Sequence, residues 1–542
     1  MLMVSRAKQT FRCFIPWLGA FAAASMLLAG CGPRDSQSVE DTALAAKGVV
    51  SLLQLTPPQA VTAASAPSLR ELEGRVESFL IRASPQQINM EAEIRVVVQQ
   101  LGRAVHVPDA RSLEDIALEI GLDPERPVAV YVAAAQPPDE LTGAFAAYVM
   151  DMERVEGALR ELSGGTPPTR TGEDVSGLPI YASAEGEFAY FIRDDLLVCG
   201  LAEPLVRSIA ERLSAPLKVP YEPSSADHIV QLTQPDALRG LVDAPSPPAE
   251  AQADADAGTV WTQTALDALA GGPPVITTWR IEENSLDVIT RIDAATHPNA
   301  MAWRGAPGAL THLRYLPEET VAVISVGLNG GWRDSVEQYA ESALSESGLS
   351  SPAAEGTAED PAQTMKLLGS TATLCLAENG GNLPIFAFLV EFQNGEDARR
   401  RLRELALFPI VSETYNGIEI RMVPVPVPGG EGIYAAFQGS TLIVATGKAQ
   451  LKTLLDRLRD GRASSWAEKQ SPPVDTSSPQ LSFVAIKPQG LTGALNAVQA
   501  QGAVSGETAS TAGMFWEKLE DIRMAERIDD ATYQHRLSVR VR

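Results

Sequence analysis

Short apolar runs alternate along this chain with segments whose apolar residues recur every three to four positions, and many of the runs are close enough to pair as hairpins. Val128 to Ala133 and Ala144 to Val149 read as strands joined through the turn-rich Gln136-Pro137-Pro138-Asp139. A helix is predicted over Met152 to Leu162, ending in Leu159-Arg160-Glu161-Leu162, and a strand opens at Gly177-Leu178-Pro179-Ile180-Tyr181. A hairpin follows over Phe188 to Gly200, then a helix running to Arg212-Leu213, then the strand His228 to Leu232, and two closing strands span Val275 to Ile292. Frequent hairpins with interspersed amphipathic helices predict the α+β class: a mostly antiparallel sheet with helices packed on one face.

The same succession returns later in the chain. A helix over Glu396 to Leu405 ends in Leu402-Arg403-Glu404-Leu405, and a strand opens at Gly417-Ile418-Glu419-Ile420-Arg421. A hairpin spans Ile433 to Gly447, and the next helix runs to Arg457-Leu458. His228 to Leu232 precedes Pro235, Leu238 and Gly240; Leu481 to Ile486 precedes Pro488, Leu491 and Gly493 in the same spacing. Closing strands lie around Arg523 to Val541, and matched positions stay roughly 240 to 255 residues apart. We therefore expect two tandem copies of one domain, over 68–296 and 308–542, joined by a linker at 297–307. Trp261 and Trp516 hold matched places and are expected to seal the core of each copy, whereas Trp279, Trp303, Trp332 and Trp466 have no match.

The amino terminus follows a different pattern. Arg6, Lys8 and Arg12 come before an apolar stretch from Cys13 to Gly30, which ends in Leu28-Ala29-Gly30-Cys31. This motif resembles the lipobox of bacterial lipoproteins, a likeness confined to the first thirty-odd residues. It implies cleavage between Gly30 and Cys31, removal of residues 1–30, and acylation (palmitate included) of Cys31 as the new amino terminus. Two or three acyl chains exceed what lasting membrane attachment requires. Gly32 stands where an aspartate would favour inner-membrane retention, so the resemblance implies an outer-membrane lipoprotein facing the periplasm. An uncleaved transmembrane anchor is the other reading of the same stretch. Residues 31–67, rich in Ser, Ala, Pro, Thr and Gln, are expected to form a mostly flexible tether reaching roughly 30 Å.

Charge narrows the partners. The formal net charge is −24, and loss of residues 1–30 leaves 41 basic against 68 acidic side chains, or −27. Such a body repels phosphate backbones and anionic lipid, which argues against nucleic acid and requires lipid rather than charge to hold it at a membrane. Cys199 and Cys375 both sit in apolar runs and read as buried strand residues, with a disulfide between them left open.

No motif for site chemistry emerges. His106, His228, His297, His312 and His535 form no zinc-binding spacing, and Asp254-Ala255-Asp256-Ala257-Gly258 lacks the rest of a calcium loop. There is no Gly-x-Ser-x-Gly elbow and no phosphate-binding loop. Arg399, Arg400, Arg401 and Arg403 follow Glu396 and Asp397 on one predicted helix, an order that complements the helix dipole and suits a solvated face. The expectation is a non-catalytic binding or scaffolding protein of the envelope with a protein partner and no cofactor or metal. The alternatives are an envelope hydrolase with a site between the copies, or a small-ligand carrier. The body also resembles secreted bacterial proteins grouped only as a domain of unknown function, a likeness of pattern that implies no activity.

Overall fold

The computed structural model describes residues 47–542 apart from a few single positions and several interior stretches, the longest being 135–140, 243–265, 300–307, 329–366, 379–383, 405–410, 425–431 and 497–512. The chain divides into two units at Ile292/Asp293. Both mix helices with antiparallel strands.

In the first unit, residues 47–53 form helix α1, and β1 (Ala60–Ala66) follows directly. Helices α2 (Leu69–Ala83), α3 (Met90–Ala104) and α4 (Leu113–Glu119) lead to β2 (Val128–Ala134) and β3 (Leu141–Tyr148). Next come α5 (Met152–Leu162), the short β4 (Thr169–Arg170) and β5 (Tyr181–Ala182), the hairpin β6 (Ala189–Arg193) and β7 (Leu196–Gly200), and α6 (Glu203–Arg212). The unit closes with β8 (Ile229–Thr233), α7 (Pro235–Val242), β9 (Val275–Glu282) and β10 (Ser285–Asp293). Strand order is β4-β5-β6-β7-β3-β2-β1-β8-β9-β10, with each neighbouring pair antiparallel. Local chemistry fixes the ends: Asp151 caps α5 by accepting from the backbone of Glu153 and Arg154, and Val155 and Leu159, four apart, turn inward.

The second unit, from Asp293 onward, contains β11 (Thr320–Gly327), β12 (Leu368–Ala377), β13 (Ile385–Phe392) and α8 (Gly395–Glu404). β14 (Val411–Tyr415), β15 (Ile418–Val423), β16 (Ile433–Gln438), β17 (Thr441–Ala445), α9 (Lys448–Asp460) and β18 (Ser482–Ile486) follow, and β19 (Leu519–Asp529) and β20 (Thr532–Val541) close it. Its strand order, β14-β15-β16-β17-β13-β12-β11-β18-β19-β20, repeats that of the first unit.

Register agrees as well as order. Ala63 lies between Tyr131 and Leu232, and Val323 between Cys375 and Ala485. Ala146 opposes Val198 as Leu389 opposes Ile443; Trp279 opposes Ile229 as Glu526 opposes Ser482. Each unit breaks register at one matched place on its central strand, between Ala60 and Thr62 and between Thr320 and Ala322. A one-residue slip would reverse every inward side chain.

Several expectations need correction. Residues 47–67 are not tether: Val49, Leu52, Leu53 and Leu55 are buried in the first core, where Tyr131 donates its hydroxyl to the Leu52 carbonyl at 2.7 Å. β1 itself pairs on both sides. The apolar patch in an otherwise polar stretch is the buried side of α1, and Ala-rich β1 is small-residued because it is central.

The helices lie on both faces of each sheet, not one. In the first unit α1 and α6 meet Tyr131, Ala146, Phe191 and Val198 on one side, while α4 and α5 meet Ala147, Phe188, Leu197 and Cys199 on the other. In the second, α9 packs Leu451, Leu454 and Leu455 with Ala387 and Leu389, whereas Ala398 of α8 joins Phe388, Val390 and Phe392 on the opposite side. β7, Leu-Leu-Val-Cys-Gly, is apolar at both parities, the pattern of a strand covered twice.

Of the expected linker 297–307, His297 is buried, and 300–307 lies outside the described residues. The strand expected from Gly177 is reduced to Tyr181–Ala182.

Candidate functional site

The predicted acylation motif, Leu28, Ala29, Gly30 and Cys31, lies outside the described residues, as do Trp261 and the acidic loop Asp254–Gly258. Among the described residues no three His, Cys, Asp or Glu side chains are grouped to hold a metal ion. No described helix is long and apolar enough to cross a membrane.

The histidines are dispersed. His106 sits exposed past the end of α3 with a positive φ of 65°. His312, in the 3-10 helix Thr311–Tyr315, is buried, which pulls its pKa down to about 4; Nδ1 lies 3.4 Å from the Thr373 hydroxyl, itself 2.7 Å from that of Ser325. His228, immediately before β8, is also buried: its Nδ1 accepts the backbone N–H of Ile281 at 2.8 Å. Burial first, then the Arg75 guanidinium, lowers its pKa to about 4. Beside it Asp227 accepts from the Tyr221 hydroxyl and from Arg280, 2.9 Å away, and burial pushes the Tyr221 phenol above its usual range.

A buried hydroxyl-and-carboxylate cluster lies in the second unit. Glu526 on β19 accepts from the Ser482 hydroxyl at 2.6 Å and from the Tyr533 hydroxyl at 2.8 Å; His535 Nε2 is 4.0 Å from its Oε1. Ser482, Glu526 and Tyr533 are all buried. The wiring differs from a nucleophile triad, in which an imidazole takes the serine proton and a carboxylate orients the imidazole. Here the serine donates straight to the carboxylate, a weak base, and the histidine approaches the carboxylate rather than the serine. The cluster ties β18, β19 and β20 together by satisfying a buried charge. Sequence reading missed it because its members are strand positions 44 and 51 residues from Ser482, apart in the chain and joined only by register.

The basic helix behaves as a solvated face where it is described: Arg399 pairs with Glu396 and Arg400 with Asp397, and Arg399 also reaches the Gly439 carbonyl. The side chains of Arg401 and Arg403 lie outside the described residues. Cys199 and Cys375 are both free and buried, in separate units, and burial pushes each thiol up to about 12. A chain with Cys13 and Cys31 replaced by alanine is therefore expected to resist a thiol reagent at neutral pH when native. It should react at two sites once unfolded; labelling of either site without denaturant contradicts the burial.

No family model matches the chain, and neither does any curated protein. Among solved structures it is similar to crystal forms IV, III and I of TP0453, at 9, 9 and 10% identity and TM-scores of 0.23, 0.19 and 0.17. The matches cover 46, 73 and 76% of this chain and 83, 92 and 98% of the other. Scores of that size carry no argument about fold or function.

Proposed function

We propose that this chain is a lipid-anchored envelope protein whose body is two copies of one α+β module, acting by binding and scaffolding rather than by catalysis. The observation that carries the address is the apolar run closing in Leu28-Ala29-Gly30-Cys31 behind a basic flank. Duplication is supported by the shared strand order and by the matching register breaks at Ala60/Thr62 and Thr320/Ala322. The non-catalytic reading is supported by how the polar groups are used: the Glu526 and Asp227 clusters satisfy buried charge within the sheets. Two like modules on one anchored chain suit bivalent capture of a periplasmic partner, where effective concentration substitutes for strong single contacts.

Feeding cells a palmitate analogue should label the protein and place it in the outer-membrane fraction, and Cys31→Ala should abolish both. Label that persists in Cys31→Ala, or an unlabelled cytosolic chain, overturns the anchor.

A further inference from the structure

Helix α2 packs on the end of β9, with Arg75 paired to Glu282 at 3.4 Å and Arg82 to Glu283 at 2.5 Å. Its apolar stripe, Leu72, Val76, Phe79 and Leu80, is half-buried, and no residue of the helix is fully so. α2 is also held by α3 and α4, with Glu73 accepting from the backbone of Leu113 and Glu114, while its hold on β9 rests on exposed ion pairs. At this end of the sheet stands His228, buried, holding β8 to β9 twice: its backbone N–H donates to the Trp279 carbonyl at 2.8 Å, and Nδ1 accepts from Ile281.

Only a neutral imidazole protonated on Nε2 presents a lone pair at Nδ1. A second proton sets an N–H against the Ile281 N–H and removes that bond. Burial opposes that proton most, and the charges around the ring divide, Arg75 and Arg280 against it and Glu71 and Asp227 for it. Glu71 and Arg75 face it from α2, Asp227 from the preceding loop, and Arg280 and Glu282 from β9. Asp227 is already engaged by Arg280 and Tyr221, and Glu282 stands 3.9 Å from Nε2 with Arg75 beside it.

We propose that His228 is an acid-operated latch: its protonation breaks the Ile281 contact, releases α2 from the end of β8–β9, and exposes the stripe Leu72, Val76, Phe79 and Leu80. The latch belongs to the first unit alone, because the matched position in the second is Leu481. It does not depend on the lipoprotein reading. The sign follows from linkage. The closed state holds the group at about 4, and an opened state returns it to the ordinary 6.5. Closure is therefore fully favoured above pH 6.5, and each unit below it tilts the balance tenfold toward opening until about 4, about 300-fold in all.

Hydrogen exchange between pH 7 and 4, corrected for intrinsic rates, reads this directly. In the full-length chain the opening constant of α2 and of the Ile281 amide should rise about 100-fold. In His228→Asn, whose side-chain oxygen can accept from Ile281 without titrating, it should stay flat. An equal rise in both proteins, or no rise in the parent, overturns the latch. Should the variant not fold, an NMR titration of the unaltered protein decides: an imidazole that titrates near 6.5 in the closed state rules it out.

Discussion

A chain cut to begin at residue 68, the start suggested by the change from polar to patterned sequence, is expected to lose the fold of its first unit. The cut removes β1, which pairs with β2 on one side and β8 on the other, so the sheet is opened at its centre rather than trimmed at an edge. It also removes Val49, Leu52, Leu53 and Leu55 from the core that holds Tyr131, Ile180, Phe191 and Ile209. Each large-to-small change at such a site costs about 2–5 kcal/mol, so losing four together with a central strand exceeds the roughly 5–15 kcal/mol that holds a domain folded. Limited proteolysis should digest 68–292 rapidly while leaving the described core of 308–542 protected. The point variant Leu53→Asp in the full chain should move in the same direction, because an aspartate there is buried without a partner. A first unit that stays protease-resistant after the cut refutes the placement of α1 and β1.

Most strands and helices were legible because their patterns are local: α5 is Met152–Leu162 as the periodicity predicts, and the hairpins β6–β7 and β16–β17 fall within the expected runs. β1, Ala-Val-Thr-Ala-Ala-Ser-Ala, lacks the bulky β-branched alternation that marks a strand. What makes it one is tertiary: small side chains fit where helices cover both faces of a central strand. The same cause hid the second helical layer, since alternation predicts one covered face and β7 is apolar on both. Of the polar clusters almost nothing was legible. His228, Ile281 and Asp227 meet through β8–β9 register, and Ser482, Glu526 and Tyr533 through β18–β20, so the information lies in pairing and not in spacing along the chain.

The tryptophans give the second large expectation. Matching the two halves selects Trp261 and Trp516 as core seals, but Trp516 is only half-buried, whereas the unmatched Trp466 and Trp279 are buried. Trp466 follows α9 and packs with Leu313, Leu316 and Leu455. Its indole N–H donates to the Thr320 carbonyl at 3.1 Å, and its own carbonyl accepts from Gln470 at 2.7 Å. Thr320 is where β11 breaks register with β12, so the indole satisfies a carbonyl at the bulge. Trp466→Ala should therefore destabilise the second unit by about 3–5 kcal/mol, combining the lost apolar contact with a cavity. Trp466→Phe keeps most of the ring volume and forgoes the hydrogen bond, and should cost about 1–2 kcal/mol. Trp516→Ala, at a half-solvated position, should cost less than Trp466→Ala. Urea unfolding of the three variants, followed at the second-unit transition with the slope checked for constancy, ranks them. Equal losses at Trp466 and Trp516 would mean that the matched pair, and not the residue beside the bulge, seals this core.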